Sequence, residues 1–151
     1  MQLNSPAFTE GGTIPKPHTG DGKDLSPELH WTAAPAGTKS FGLICDDPDA
    51  PRGTWVHWVL FNLPADTAKL KEAVPPEKSL ANGAKQGTND FRKIGYGGPA
   101  PPPGKPHRYF FKLYALDGML NLQEGATKQQ LEAAMKGHIL GEAQLMAKYG
   151  R

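Results

Sequence analysis

The chain has 151 residues, the size of one typical domain, and we expect residues 1–151 to form a single domain. Its 17 Lys and Arg against 15 Asp and Glu give a net charge of +2 without a basic stripe, which argues against nucleic-acid binding. A hydrophobic fraction of 38% excludes intrinsic disorder. The 18 glycines and 15 prolines predict frequent turns and short straight segments.

The N-terminal residues and the single cysteine favour a cytoplasmic location. The first residues lack the basic and apolar segments of a signal peptide, and the longest unbroken aliphatic and aromatic run is only Trp58 to Phe61. We therefore expect no integral membrane association. Cys45 has no second cysteine to pair with, and its position in an apolar run favours a buried, unreactive thiol.

Three segments are predicted to be β-strands, at residues 40–46, 54–62 and 108–116. The second is rich in aromatic and β-branched residues on both faces, so we expect it to be central and buried. In the third, Tyr109, Phe111 and Leu113 fall on one face. The early part of the chain is therefore predicted to be β-structure.

Helical patterns occur only in the last quarter of the chain. Thr127 and Gln130 fit a capping box at the start of a helix that Gly137 ends. A second short helix is predicted over residues 138–149, because Ile139, Ala143 and Met146 fall on one stripe. Strands first and helices last predict a mostly β sandwich or barrel with short C-terminal helices.

Polar side chains cluster at particular ends of the three strands. If the first strand runs antiparallel to the other two, five of these side chains meet at one edge of the sheet: Asp47, Asp49, His57, His107 and Tyr109. Residue parity agrees, since Cys45 shares a face with Asp47, and Trp55 and Val59 share one with His57. The sequence therefore predicts a small polar pocket on an apolar wall.

Each of these features also has a purely structural interpretation. The aspartates of Asp47-Pro-Asp-Ala-Pro51 are common in turns, and His57 could be a hydrogen-bonded core histidine. The proline-rich segment from Pro99 to Pro103 could be a docking ligand, although its position favours a pocket wall. Gly97 and Gly98 would leave backbone N–H groups free to bind an oxyanion.

Four motifs resemble the phosphatidylethanolamine-binding protein family, also called Raf kinase inhibitor proteins, and most closely its bacterial YbhB/YbcL-like branch. They are Asp47-Pro-Asp-Ala-Pro51, Thr54-Trp-Val-His-Trp58, Gly95-Tyr-Gly-Gly-Pro99 and His107-Arg-Tyr109. Further matching stretches extend the resemblance over nearly the whole chain. The resemblance implies a Greek-key β-sandwich with a shallow pocket for phosphate, acetate, cacodylate or a phosphorylethanolamine head group at one end of the sheet.

Carried over to this sequence, the resemblance implies a ligand-binding set of seven residues: Asp47, Asp49, His57, Gly98, Pro99, His107 and Tyr109. The histidines and the tyrosine would donate to anion oxygens, Gly98 would present its backbone, and the aspartates would orient the imidazoles or receive a ligand ammonium. No cofactor and no metal are implied.

Three functions remain open at this point. The first is a binding module for a small anionic, phosphate-like ligand. The second is a regulator or inhibitor of a protein partner that acts through the pocket loops. The third is a metal-dependent or acid–base hydrolase, which is disfavoured because no serine lies beside a candidate base. If the chain self-associates, a two-fold homodimer is the commonest outcome.

Overall fold

A computed structural model describes residues 1–151, which form eight strands and one α-helix. Residues Lys16–His18 add a single 3-10 turn. The elements in chain order are β1 Gln2–Asn4, β2 Leu29–Thr32, β3 Ser40–Asp47, β4 Trp55–Pro64, β5 Lys69–Leu70, β6 Lys85–Gln86, β7 His107–Leu116, α1 Lys128–Met135 and β8 Ile139–Tyr149.

The strands form two antiparallel sheets. The smaller has the order β1-β2-β5 and the larger the order β6-β4-β3-β7-β8. The three predicted strands are β3, β4 and β7, and β3 runs antiparallel to both of its neighbours. The mostly β architecture and the strand directions on which the predicted pocket depends are therefore confirmed.

The hydrophobic core lies mainly between the two sheets. Trp31 of the small sheet packs edge-on against Phe41 of the large sheet, with ring centroids 5.5 Å apart. A second apolar cluster covers the opposite face of the large sheet, where Leu131 and Met135 of α1 contact it. The large sheet is therefore buried on both faces along β3 and β4, as the apolar content of those strands predicts.

Helix α1 begins where the capping box predicts. The Thr127 hydroxyl accepts from the Gln130 backbone N–H, and the Gln130 side chain accepts from the Thr127 N–H. The helix ends at Met135, just before Gly137, whose φ of 83° suits glycine. Its eight residues are far fewer than a bilayer-crossing helix needs.

The predicted second helix is wrong: residues Ile139–Tyr149 form strand β8. This segment pairs antiparallel with the whole of β7, so it satisfies backbone groups that β7 would otherwise leave unpaired. Its buried residues Leu145 and Ala147 alternate with more exposed ones, which is a strand period, and Gly141 disfavours a helix interior. The hydrogen bonds gained by pairing with β7 outweigh the weak helical pattern of Ile139, Ala143 and Met146.

A β-bulge in β4 sets the direction of His57. Cys45 pairs with Trp58 and Asp46 pairs with Val56, so His57 is the extra residue between them. Residue parity had placed His57 and Val59 on the same face, and the bulge makes this prediction wrong. Val59 packs with Val56 in the cluster beneath α1, while His57 faces the ring of Tyr109 on the other side. Bulges of this kind often occur next to functional sites, where they redirect one side chain.

Candidate functional site

A cavity of about 180 Å³ opens where β3 ends and where β4 and β7 begin. Four of the predicted residues contribute its polar surface: Asp47, His57, His107 and Tyr109. Its remaining walls are apolar or proline-rich, formed by Ala50, Pro51, Trp55, Phe91, Ala100, Pro101 and Pro102. The structure thus brings together most of the predicted set, and the proline-rich segment forms part of the wall.

His57 is held in one orientation. Its Nδ1 donates to the carbonyl oxygen of Gly97 at 2.5 Å, and its ring lies between the rings of Phe91 and Tyr109. The side chain is buried, and this burial lowers the pKa of His57 below its usual value. At neutral pH the imidazole is therefore uncharged, with the proton on Nδ1.

His107 is oriented by a carboxylate instead of a carbonyl. Its Nδ1 lies 2.7 Å from Oδ2 of the buried Asp47, to which it donates. The other oxygen of Asp47 accepts the backbone N–H of Asp49 at 2.7 Å, which fixes the turn after β3. Asp47 therefore connects the turn to the start of β7 and sets the direction of the His107 ring.

Three polar atoms remain without protein partners at this cavity. They are Nε2 of His57, Nε2 of His107 and the hydroxyl of Tyr109, whereas the hydroxyls of Tyr96 and Tyr149 bond to protein atoms. Trp31 Nε1 is the only fully buried polar side-chain atom that lacks a partner. The three unpartnered atoms are therefore accessible, and the cavity that their residues line is the space next to them. Burial also raises the pKa of Tyr109, so its hydroxyl stays protonated.

Asp49 points away from this cavity. Its carboxylate receives two bonds from the Arg108 guanidinium, at 2.8 and 2.9 Å, and one from the Arg108 backbone N–H. These bonds lower the pKa of Asp49 to about 2. In this structure Asp49 fastens the turn to β7 and borders a neighbouring cleft rather than the cavity.

The expectation of free N–H groups at the glycine pair is wrong. The Gly98 N–H donates to Oδ1 of Asp24 at 2.7 Å, and the Gly97 N–H donates to the His57 carbonyl. A Cβ at Gly98 would lie 2.5 Å from the His18 carbonyl oxygen, so glycine is required here by chain packing. Pro99 likewise does not line the cavity, and its carbonyl accepts from the Gly20 N–H.

Two aromatic wall residues, Trp55 and Phe91, lay outside the predicted set. Phe91 is placed by Asn89, whose side-chain oxygen accepts the Phe91 N–H at 2.9 Å, and by the bond from the Val56 N–H to Asp90. Its ring contacts both Trp55 and His57 edge-on. Phe91 lies in a loop with no periodic signal, whereas Trp55 shares the parity of His57 and could have been included.

The chemistry of the site is that of polar recognition. No group of three or more His, Cys, Asp or Glu side chains is arranged to hold a metal ion. Cys45 is buried beneath the sheet, and burial raises the pKa of its thiol well above the ordinary value. The cavity instead offers two imidazole Nε2 atoms and one hydroxyl, which can form hydrogen bonds to a small polar ligand.

Comparison with known proteins agrees with the fold. The family model for phosphatidylethanolamine-binding protein matches residues 4–150. The chain is 51% identical over its full length to a UPF0098 protein of Methanothermobacter thermautotrophicus, covering 99% of that protein. It is 50% identical to a UPF0098 protein of Aquifex aeolicus, with 100% of this chain and 89% of that one covered.

Solved structures give the same assignment. One is CT736 of Chlamydia trachomatis, described as a homologue of phosphatidylethanolamine-binding protein, with TM-score 0.90 and 41% identity over 99% of this chain and 97% of that one. The other is YbcL of E. coli, described as a member of the mammalian family, with TM-score 0.91 and 32% identity over 99% and 98%. The chain belongs to the phosphatidylethanolamine-binding protein family.

Proposed function

We propose that this protein is a binding module for a small phosphate-like anion, such as a phosphorylethanolamine head group, and that it acts without catalysis. The observation that carries the proposal is the convergence of His57 Nε2, His107 Nε2 and the Tyr109 hydroxyl, all unpartnered, on one cavity of about 180 Å³. Trp55 and Phe91 give the cavity an apolar wall beside these polar groups.

Proton uptake accompanies anion binding at this site. Both imidazoles already donate through Nδ1, so each neutral ring presents Nε2 as an acceptor, which an anion oxygen cannot bond. A bound anion therefore requires either protonated imidazoles or a proton carried by the ligand itself. The nearby anion offsets the burial that lowers the pKa of His57, so the ring becomes charged only with the ligand present.

The absence of a placed nucleophile at the cavity supports binding without catalysis. The thiol of Cys45 is buried, and the lining contains no serine or lysine. The Tyr109 hydroxyl is a poor nucleophile because its pKa is raised. With few donors and a shallow cavity, the head group alone should bind weakly, with Kd in the range of roughly millimolar to tens of micromolar.

Calorimetric titration with phosphorylethanolamine tests the proposal. Tyr109→Phe removes an unpartnered hydroxyl, so we expect unchanged stability and about tenfold weaker binding, the usual size for a hydrogen bond to a charged group. Tyr114→Phe is the matched control, since it removes a hydroxyl from the opposite face of the same strand, where Tyr114 packs near α1 and away from the cavity lining. No binding by the wild type up to tens of millimolar would contradict the proposal.

A further inference from the structure

The proline-rich segment of residues 99–106 forms one side of the cavity without helix or strand, and we call it the wall loop. Ala100, Pro101 and Pro102 of this loop line the cavity. Five of its eight residues are proline, which has no backbone N–H, so the loop has few donors with which to fasten itself. Its position therefore depends on donors elsewhere in the chain that reach its carbonyl oxygens.

Two attachments hold the wall loop. At its start, the Gly20 N–H donates to the Pro99 carbonyl at 2.8 Å. At its middle, the Arg151 guanidinium donates to the Pro101 carbonyl at 3.3 Å, and the Arg151 main-chain oxygen accepts from the Gly104 N–H at 3.3 Å. Arg151 thus bonds to the loop on both sides of the two prolines between these positions.

Asp21 holds Arg151 in place. Its carboxylate accepts from Nε and Nη2 of Arg151 at 2.9 to 3.1 Å and from the Tyr149 hydroxyl at 2.6 Å. The bonds from Arg151 and Tyr149 lower the pKa of Asp21, so its carboxylate is charged at neutral pH. Tyr149 of β8 pairs directly with His107 of β7, so the two side chains lie on the same face of the sheet. The pair of Asp21 and Arg151, which we call the clasp, therefore lies on the cavity side of the sheet.

We propose that Arg151 is a positioning residue for the anion site: paired with Asp21, it holds the wall loop beside the cavity in the arrangement that binds the ligand. This inference rests on the proposed function, because it needs an anion in the cavity, and it goes further by naming what controls the affinity of that site. Without the clasp, the wall loop keeps its bond to Gly20, but nothing anchors its middle. The fraction of molecules with a complete cavity then falls, and the measured affinity falls by the same factor.

Titration of two single variants with phosphorylethanolamine tests the clasp. Both side chains are partly exposed, so Arg151→Gln and Asp21→Ala leave the core intact. We expect each variant to bind about three- to tenfold more weakly than the wild type, which corresponds to a complete cavity in roughly a third to a tenth of the molecules. The double variant should bind about as weakly as either single variant, because each substitution breaks the same pair.

The charge of Arg151 alone gives the opposite expectation for one of these variants. Burial raises the pKa of Tyr109 and the Arg151 charge opposes that rise, so the guanidinium is near enough to act on an anion in the cavity. Loss of the Asp21 charge would then strengthen anion binding, whereas loss of the clasp weakens it. Tighter binding by Asp21→Ala would therefore assign the effect to charge and overturn the inference.

A matched control removes a charge elsewhere. Lys136→Gln changes one exposed residue just beyond α1, next to Met135, which packs near Gly42 at the end of β3 far from the cavity. This variant should bind phosphorylethanolamine like the wild type. Weakening equal to that in Arg151→Gln would make net charge the cause and would overturn the inference.

Hydrogen exchange adds a measurement that a purely structural role of the clasp would not change. A ligand that needs the wall loop in place must also hold it there, because the coupling is reciprocal. Phosphorylethanolamine should therefore slow exchange of the Gly104 N–H in Asp21→Ala.

The possible failures are distinguishable. Wild-type affinity in both Arg151→Gln and Asp21→Ala overturns the inference and leaves the anion pocket in place. An exchange rate at Gly104 that does not respond to the ligand in Asp21→Ala also overturns it. Failure of the wild type to bind phosphorylethanolamine overturns the proposed function together with the inference.

Discussion

His57 depends on three neighbours for its chemistry. Gly97 fixes the tautomer, the rings of Phe91 and Tyr109 fix the ring plane, and the bulge in β4 turns the side chain toward the cavity. Because burial keeps the free imidazole neutral, the ring is ready to accept a proton only when a negative charge arrives. Under the proposed function, this histidine would make anion binding depend on pH.

Sulfate binding is expected to strengthen as the pH falls. Sulfate stays a dianion between about pH 5 and 8, so the proton must come to the protein, and the pKa of His57 rises when the anion is bound. Because burial lowers the pKa of free His57, the ring is neutral at pH 7 before binding, so a proton that it carries in the complex is taken up when sulfate binds. Calorimetry in buffers of different ionisation enthalpy measures that uptake directly.

A substitution at His57 tests whether its imidazole takes up the proton when sulfate binds. His57→Gln keeps a polar side chain but cannot take up a proton, so the proton uptake per sulfate should fall and affinity should depend less on pH. Sulfate affinity that is independent of pH in the wild type, with no net proton uptake, would contradict the tautomer assignment at the site.

The sequence predicts which residues lie at the cavity better than it predicts what each of them contacts. Asp47, His57, His107 and Tyr109 could be placed together because strand ends and residue parity are local properties. The partner of Asp49 could not, because Arg108 is 59 residues away and the two meet only through the pairing of β3 with β7. The packing that demands glycine at position 98 is also non-local, since it involves His18 and Asp24.

At the scale of elements, Asp46 attaches α1 to the large sheet. Its side chain is only 1% exposed and accepts from Lys128 of α1 at 2.7 Å and from Lys112 of β7 at 3.2 Å. Two cations thus share one buried carboxylate on the face opposite the cavity. Either lysine alone can compensate the charge, so the two are partly redundant.

Because of this redundancy, we expect that substitutions of Lys112 and Lys128 have non-additive effects on stability. Lys112→Met and Lys128→Met should each lower the free energy of unfolding by about 1 kcal/mol, while the double variant should lose more than about 3 kcal/mol because the carboxylate is left uncompensated. Urea unfolding of all four proteins measures the difference. In an Asp46→Asn background the effects of the two lysine substitutions on stability should become additive. Additive effects with Asp46 intact would contradict this account.

The strand assignment of residues Ile139–Tyr149 also has a direct test. In β8 the N–H groups of Leu145 and Ala147 point toward β7, while the N–H of Lys148 bonds to the Gly12 carbonyl on the other side. By alternation, the N–H groups of Glu142 and Gln144 point toward the uncovered outer edge. Native-state hydrogen exchange should therefore find Leu145 and Ala147 protected and Glu142 and Gln144 unprotected.

Uniform protection across residues 142–147 would instead indicate a helix. The helical prediction failed because its three-residue stripe was a weak signal: in β8 Ala143 and Met146 lie on opposite faces, and the buried residues are Leu145 and Ala147. The capping box of α1, in contrast, specifies a helix start by its own hydrogen bonds, and this prediction is confirmed. A local signal with a built-in bonding pattern was reliable, whereas the pairing of residues 139–149 with β7 left no local signal in the sequence.

For the whole molecule, the family motifs and the strand order place one polar cavity at one end of a two-sheet fold. The sequence could indicate the cavity because its residues lie in short motifs. It could not indicate the neighbouring cleft that Asp49 borders, which forms only when Lys105 and Arg108 meet Lys148 across β7 and β8.

The most direct test of the anion pocket is the nitrogen NMR spectrum of the histidine side chains during titration with sulfate at neutral pH. Because sulfate carries no proton at this pH, the Nε2 signal of His57 should move from the unprotonated toward the protonated position, while its Nδ1 keeps its present bond to Gly97. His30 and His138, which lie outside the cavity lining, serve as internal references and should not move. Unchanged signals from both pocket histidines up to tens of millimolar ligand would contradict the account.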